Sequence, residues 1–166
     1  MITAKQLIDK YQLIAHPEGG HYRQTYSSAG KIPKSVLPPA FQNDRFFSTA
    51  IYFLLEKNQF SAFHRIAGDE LWHFYTGSGL HIYVIHPDGR GEVLKLGDDL
   101  ENGFAFQHVV PAGAWFASQS SDKNGFSFVG CTVAPGFDFE DFEMANKAEM
   151  LRDYPQHGAW IESLCI

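Results

Sequence analysis

The sequence predicts a single all-β domain over residues 1–166, with a short helix near each end. Short apolar segments recur at the spacing of about 8–12 residues that is typical of sandwiches and barrels, with turn residues between them. Aromatic residues, which are frequent on strand faces, make up 15% of the chain. The chain is 45% apolar and 19% charged, as expected for a folded protein with one core.

The predicted elements begin with a helix over about residues 3–10, because Thr3 and Gln6 have the spacing of a capping box. "HPEGG" at His16–Gly20 then breaks the chain, since proline and paired glycines favour a turn. The proline-containing stretch Ser27–Asp44 has no clear period and is expected to be a long loop.

The remaining segments are expected to be strands, followed by one helix. The C-terminal segment "EDFEMANKAEMLRDYP" contains good helix formers and ends at Pro155. The predicted strands are "HYRQTYSS", "RFFSTAIYFLLE", the hairpin "GLHIYVIHPDGRGEVLKL", "FAFQHVV", "AWFASQS" and "FSFVGCTVA".

The totals exclude several classes of function. A net charge of −6 argues against a nucleic-acid partner, which requires a basic face. Cys131 and Cys165 are far apart, which indicates neither a disulfide framework nor a zinc site and suits a reducing compartment. No apolar run approaches the ~18–20 residues of a spanning helix, and the N-terminus does not resemble a signal peptide. We therefore expect a cytoplasmic protein with no membrane partner.

The stretch "FHRIAGDELWHFYTGSG" resembles the first motif of cupin jelly rolls, in which His-x-His is followed by glutamate and then glycine. His64, Glu70 and Gly77 match three positions of that motif, whereas Ile66 occupies the place of the second histidine. The second cupin motif, Pro-x-Gly-x-x-His, is matched by "PAGAWF", in which Phe116 replaces the histidine.

Five blocks between His16 and Glu143 resemble one branch of this superfamily, cupin-5, which was long labelled a domain of unknown function. The blocks are "HPEGGHYRQTY", "FSTAIYFLL", "FHRIAGDELWHFYTG", "VVPAGAWFA" and "VGCTVAPGFDFEDFE". The resemblance implies a double-stranded β-helix, commonly a homodimer. It also implies a similarity in fold to dTDP-sugar epimerases, whose cavity holds a histidine base and a tyrosine acid, and to seed storage proteins without catalysis.

A metal cofactor is not expected, because Ile66 and Phe116 place hydrocarbons at two of the four cupin ligand positions. Protein sites for zinc, iron or manganese normally use three or four N, O or S ligands. His73 should face away from Glu70, since side chains alternate along a strand. A divalent metal held by His64 and Glu70 remains the alternative.

The candidate catalytic residues are His64 as a general base and Glu70 as the carboxylate that orients it. The resemblance to sugar epimerases adds a tyrosine as the acid, for which Tyr52 and Tyr83 are the candidates. The alternative is that His64 and Glu70 form a buried polar pair without turnover, and that both tyrosines are core aromatics.

The candidate ligand-binding residues are Ile66, Trp72, Trp115 and Phe116, which would line an aromatic pocket. Arg23 is a further candidate, because its guanidinium can grip a phosphate or carboxylate. A packed core for the aromatic residues and a surface ion pair for Arg23 are the alternatives.

Two further groups are expected to be structural. For His16 and Glu18 we expect roles in capping a turn and in binding a nearby backbone amide. The acidic residues between Asp138 and Glu143 are expected to stabilise a helix N-terminus.

The sequence thus predicts a cupin that binds a small polar or sugar-like metabolite in a metal-free barrel. If it is an enzyme, an isomerase or epimerase that uses His64 as the base is expected. A binding or storage protein without turnover and a metal-dependent cupin enzyme are the alternatives.

Overall fold

Two antiparallel sheets form the body of the computed structural model, which describes residues 2–166. Residues of both sheets share one hydrophobic core, so the sheets pack face to face. The strands are β1 (Ile14–Ala15), β2 (His21–Ser27), β3 (Lys31–Ile32), β4 (Arg45–Phe46), β5 (Thr49–Leu55), β6 (Phe60–Arg65), β7 (Asp69–Gly77), β8 (Leu80–Ile85), β9 (Gly91–Leu96), β10 (Gln107–Val110), β11 (Trp115–Ser120), β12 (Ser127–Ala134) and β13 (Glu143–Met144).

The strand order is that of a jelly roll, in which neighbours within a sheet are distant in sequence. The six-stranded sheet has the order β1-β2-β5-β12-β7-β10, and the five-stranded sheet has the order β13-β6-β11-β8-β9. Strands β3 and β4 pair separately. The predicted all-β class and two-sheet architecture are therefore confirmed.

The helices lie near the two ends of the described chain, as predicted, but the C-terminal one is divided. Helix α1 (Ala4–Tyr11) begins at the predicted capping box, with the Gln6 N–H donating to the Thr3 hydroxyl. The segment predicted as one C-terminal helix instead contains a 3-10 turn, strand β13 and helix α2 (Lys147–Asp153). A further helix, α3 (Gly158–Leu164), follows Pro155, which begins a 3-10 turn.

Two predicted strand boundaries are also wrong. The segment "RFFSTAIYFLLE" is interrupted at Phe47 and Ser48, between β4 and β5. The Ser48 hydroxyl donates to the Val133 carbonyl there (3.1 Å), so a side chain takes part in the local pairing. The predicted strand "FAFQHVV" begins too early, because Phe104, Ala105 and Phe106 all precede β10.

Apolar side chains form three clusters, and each has a separate structural role. The largest lies between the sheets and includes Trp72 and Phe116. A second packs α2 and α3 against the outer side of the five-stranded sheet, and a third packs α1 against the six-stranded sheet. No helix within residues 2–166 is long and apolar enough to span a membrane.

Candidate functional site

A cavity of about 340 Å3 lies on the inner face of the six-stranded sheet. Alternate residues of β2, β5, β7 and β12 face it, as the two-residue period of a strand requires. Its lining residues are His16, Glu18, Tyr22, Gln24, Phe46, Thr49, Ile51, Phe53, His64, Ile66, Glu70, Trp72, Cys131, Val133, Phe137, Asp138, Phe139 and Phe142. Asp138 and Phe139 are exposed and therefore lie at its mouth.

The "HPEGG" turn brings Glu18 to the inner end of this cavity. The turn is closed by a hydrogen bond from the Gly19 N–H to the His16 carbonyl (3.0 Å). It is tied to β6 by a bond from the Ala62 N–H to the Glu18 carbonyl (2.8 Å). Gly19 has a φ of 111°, and a Cβ atom there would collide with the Phe60 carbonyl oxygen, so glycine is required at this position.

His64, on β6, is held at both ring nitrogens. Its Nδ1–H donates to the Ala62 carbonyl (2.7 Å), and its Nε2 lies 3.0 Å from Glu18 Oε2. The other Glu18 oxygen, Oε1, accepts a hydrogen bond from the Ser61 hydroxyl (2.8 Å). Glu18, Ser61 and His64 are all buried, so the three side chains form a closed polar network.

The pair of His64 and Glu18 is a neutral hydrogen bond. Burial lowers the pKa of His64 to about 3. Burial, together with the nearby charge of Glu70, raises the pKa of Glu18 well above its usual value. The Nδ1 atom of His64 carries the ring proton, which forms the hydrogen bond to the Ala62 carbonyl. The Nε2 atom of the ring therefore has a free lone pair, which accepts the O–H of the Glu18 carboxylic acid.

Glu70, on β7, is the second buried carboxyl group of the cavity, with 8% of its surface exposed. Its Oε2 accepts a hydrogen bond from the Trp72 indole N–H (3.2 Å). Burial raises the pKa of Glu70 to about 7, opposed by hydrogen bonds from Trp72 and the Cys131 thiol. The expected contact of Glu70 with His64 is wrong, because Glu18 occupies the Nε2 side of the ring.

His16 lies on the other side of Glu18. Its Nδ1 accepts a hydrogen bond from the Glu18 N–H (3.3 Å) and lies 3.4 Å from Glu18 Oε2. Burial lowers its pKa to about 4, so the ring is neutral at physiological pH. The ring also packs edge-on against Tyr22, with centroids 4.5 Å apart.

The outer wall of the cavity is the segment 137–142, which is fixed by a buried ion pair. Arg45 donates from Nε and Nη2 to the two carboxylate oxygens of Asp141, at 2.6 and 2.7 Å. Its Nη2 also approaches Glu140 (3.4 Å). The side chains of Arg45 and Asp141 are 2% and 4% exposed. The expectation that this acidic stretch leads a long helix is therefore wrong for Asp141, whose partner is Arg45.

Four residues predicted for the site line the cavity: His64, Ile66, Glu70 and Trp72. The predicted acids do not. Tyr52 lies on the outer face of β5 and packs against Tyr11, with ring centroids 4.7 Å apart. Tyr83 lies on the side of β8 that faces α3, where its hydroxyl accepts a hydrogen bond from the Gln119 amide (2.8 Å).

Three of the predicted ligand-binding residues also lie outside the cavity. Arg23 is exposed and pairs in register with Tyr52. Trp115 belongs to the cluster under the C-terminal helices and stacks with the Arg65 guanidinium, 4.4 Å from the ring centroid. Phe116 is a core residue that packs against the His64 ring, with centroids 4.1 Å apart, and does not line the cavity.

Fourteen of the eighteen lining residues were not predicted for the site, among them His16, Glu18, Tyr22 and Cys131. Two of them belong to "HPEGG", where a histidine and a glutamate precede paired glycines, and this was the available signal. Tyr22 alternates with the exposed Arg23 on β2, so strand periodicity could have placed one of these two residues inside.

The donor groups do not fit a divalent metal ion. Within residues 2–166, no group of three or more His, Cys, Asp or Glu side chains is arranged to hold one. His64 Nε2 and His16 Nδ1 both lie close to Glu18 Oε2, at 3.0 and 3.4 Å, so each nitrogen already has this carboxyl oxygen as a partner. At the position of the second motif histidine, Ile66 contributes hydrocarbon to the cavity wall.

Comparisons with known proteins show relatives of similar length and fold. The chain is 35% identical over 149 residues to the uncharacterized protein YML079W of Saccharomyces cerevisiae, covering 84% of this chain and 73% of that protein. The structure of protein SO0799 from Shewanella oneidensis superposes with a TM-score of 0.89 at 40% identity, covering 100% of this chain and 99% of that one.

A hypothetical protein from Leishmania major is similar to the same extent. Its structure gives a TM-score of 0.86 at 36% identity and covers 99% of both chains. The family model described as Cupin superfamily (DUF985) matches residues 5–145. These residues include both sheets and every lining residue of the cavity. The chain therefore belongs to the cupin superfamily, in the family described as DUF985.

Proposed function

We propose that this cupin binds a small metabolite in the cavity between Glu70 and the aromatic wall. The observation that carries the proposal is a pocket with buried, titratable groups at its inner end and a mouth at Asp138 and Phe139. A volume of about 340 Å3 lies at the small end of the range for ligand pockets. The size suits a compact or cyclic molecule.

The charge of the lining disfavours phosphorylated or carboxylated ligands. Within residues 2–166, no lysine or arginine lines the cavity, whereas Glu18, Glu70 and Asp138 do. An anion there would meet the carboxylates of Asp138 and, when it is ionised, Glu70, without a compensating cation. Arg23, the expected phosphate ligand, is exposed outside the cavity.

A second candidate function, proton transfer to or from the bound molecule, is favoured by Glu70. A general acid–base group works best when its pKa lies near the working pH, and burial brings the pKa of Glu70 to about 7. His64 suits the role of base less well than expected, because both of its ring nitrogens already have partners. An isomerase or epimerase of this cupin would use Glu70 as the proton acceptor.

Occupancy of the cavity can be tested by filling it. Ile51 lines the cavity, so Ile51→Trp should block it, whereas Val93→Trp makes the same kind of change at a surface-accessible position on β9. Each protein is incubated with a small-molecule extract of cells, desalted and weighed by native mass spectrometry. The proposal predicts a bound mass, lost on denaturation, in the wild type and Val93→Trp. A bound mass that persists in Ile51→Trp, or none in any protein, contradicts it.

Binding with and without turnover can be separated with Glu70→Gln. The amide keeps an oxygen that can accept the Trp72 N–H, but it cannot take a proton. If Glu70 transfers a proton, the variant, at a concentration of the captured molecule that saturates it, no longer exchanges the hydrogen of that molecule with deuterated water, which NMR detects. Equal exchange with the wild type and the variant contradicts this role.

A further inference from the structure

The cavity combines buried carboxyl groups with a wall of aromatic rings. The rings that face it are those of Tyr22, Phe53, Trp72, Phe137, Phe139 and Phe142. Aromatic faces carry negative partial charge and attract cations within about 6 Å of the ring centroid. A wall of this composition is suited to an alkylated ammonium group, which is weakly hydrated.

The rings are arranged at steep angles to one another, so that their faces point in different directions. Phe53 and Trp72 meet at an interplanar angle of 81°, with centroids 5.9 Å apart. Phe137 and Phe142 meet at 79°, with centroids 6.2 Å apart. The indole of Trp72 is held beside Glu70 by the hydrogen bond from its Nε1–H to Oε2 (3.2 Å). An aromatic ring and a carboxyl group therefore lie side by side.

Glu70 lacks a cationic partner within residues 2–166. It is 92% buried, since 8% of its surface is exposed, and neither a lysine nor an arginine lines its cavity. Its bonding partners are the Trp72 N–H and the Cys131 thiol, which are both neutral. Buried carboxylates are normally paired or bound to a cation, and among the described residues Glu70 has only these neutral partners.

We infer that the ligand of this cavity is an organic cation, a substituted ammonium, held by the Glu70 carboxylate and the aromatic rings that line the cavity. This inference rests on the proposed function, in which the cavity binds a small molecule, and it names the charge class of that molecule. Cations that approach the mouth also meet Asp138, which is exposed there. The acidic groups at both ends of the cavity thus favour the same class of ligand.

Binding of a cation should ionise Glu70. The other titratable groups that line the same cavity are His16, Glu18, Tyr22, His64, Cys131 and Asp138. His16 and His64 are neutral at pH 7, since burial lowers their pKa values, and they do not oppose a cation. Glu18 shares its proton with His64, so Glu70 is the buried group that can become the counter-ion.

The test compares cations with uncharged molecules of the same shape. One pair is choline and 3,3-dimethylbutan-1-ol, and the other is cyclohexylammonium and cyclohexanol. Hexoses serve as uncharged sugar-like probes. Affinities are measured at pH 7.5 by isothermal titration calorimetry on the wild type, Glu70→Gln and Glu101→Gln. The last variant removes one negative charge from an exposed position outside the cavity.

The inference predicts that at least one cation binds the wild type and Glu101→Gln about tenfold or more tightly than its uncharged counterpart. Glu70→Gln should lose this preference and retain the weak binding of the uncharged molecule. Failure of both cations to bind the wild type overturns the inference, and so does equal binding within both pairs. If hexoses or the alcohols bind and the cations do not, the proposed binding function stands and only the inferred charge class is wrong. If no probe binds and Ile51→Trp also captures the same mass as the wild type, both are wrong.

Discussion

Two buried carboxyl groups, Glu18 and Glu70, determine the chemistry of the cavity at the residue scale. Glu18 is neutralised by sharing a proton with His64, whereas Glu70 has only neutral partners and a pKa of about 7. The motif spacing located His64 and Glu70 correctly on the cavity, because both belong to one continuous pattern. Glu18 could not be paired with His64 from sequence, since a turn far away in the chain brings it there.

Glu70→Gln should change how stability depends on pH. Burial raises the Glu70 pKa from 4.5 to about 7, so the folded protein holds a proton between these pH values that the unfolded chain releases. Stability contributed by this group is therefore present at low pH and lost as the pH rises to about 7. The glutamine side chain of the variant cannot ionise. Between pH 4 and pH 8 the free energy of unfolding of the variant should therefore rise by on the order of 3 kcal/mol relative to that of the wild type.

Urea denaturation of both proteins at several pH values checks this prediction. Taking the difference between the two proteins removes the contributions of His16 and His64. Their lowered pKa values have the opposite effect, because they destabilise the fold as the pH falls. A difference that stays constant from pH 4 to pH 8 contradicts the assigned environment of Glu70.

Glu18→Ala should destabilise the protein by about 1–3 kcal/mol, because it leaves His64 Nε2 and the Ser61 hydroxyl buried without partners. Glu101→Ala, at an exposed position, is the control and should change stability by less than about 0.5 kcal/mol. Denaturant titration gives both values. Similar values for the two variants would show that the network around Glu18 does not stabilise the fold.

At the scale of secondary-structure elements, periodicity predicted the strands but not all of their ends. The apolar runs of β5, β8 and β12 were recognised, since alternation and β-branched residues extend over most of each strand. The long C-terminal helix was wrong because helix propensity ignores tertiary partners. Asp141 accepts a hydrogen bond from Arg45, and Glu143 on β13 pairs in register with Arg65 on β6. The stretch therefore runs along the edge of the five-stranded sheet.

Arg45→Met should loosen the outer wall of the cavity. Removing one partner of a buried ion pair leaves the Asp141 carboxylate unpaired, at a cost of about 3–5 kcal/mol. Arg152→Met breaks a pair of similar two-bond geometry with Asp153, but the side chains of that pair are 70% and 50% exposed. The exposed pair should contribute little to stability, because water screens the two charges.

Hydrogen exchange and denaturant titration check the role of Arg45 together. Amides of residues 137–142 should exchange faster in Arg45→Met by more than the loss of global stability explains. Amides of β8 should exchange faster only by the amount that this loss explains. A second variant that also carries Asp141→Leu removes the stranded charge and should recover part of the loss. If Arg45→Met and Arg152→Met lower the free energy of unfolding by the same amount, the outer wall of the cavity does not depend on the pair of Arg45 and Asp141.

At the scale of the whole molecule, the resemblance to cupins correctly predicted the two-sheet fold, because five sequence blocks fix the order of strands around the barrel. The residues that line the cavity were harder to predict. Aromatic residues such as Trp115 and Phe116 have the same apolar character whether they line a pocket or fill a core. Only the packing of the sheets distinguishes these two positions.

We predict that the protein is a homodimer, as the resemblance to cupin-5 implies. Large aromatic side chains remain at the surface, such as Tyr26 and Tyr75, which are 53% and 49% exposed. Surfaces that carry such residues are common where proteins associate. Sedimentation velocity at several micromolar concentrations should give twice the mass of one chain, and the mass of a single chain throughout that range would contradict the prediction.

The central claim is that Glu70 meets the ligand in the cavity and becomes its counter-ion. Its most direct test is the number of protons released at pH 7 when the tighter-binding of the two cations, choline or cyclohexylammonium, binds, obtained from calorimetry in buffers of different ionisation enthalpy. Because the pKa of Glu70 is about 7, the wild type should release about half a proton for each cation bound. Glu70→Gln should release none. A wild-type protein that releases no proton, or a variant that releases as many as the wild type, would contradict the claim.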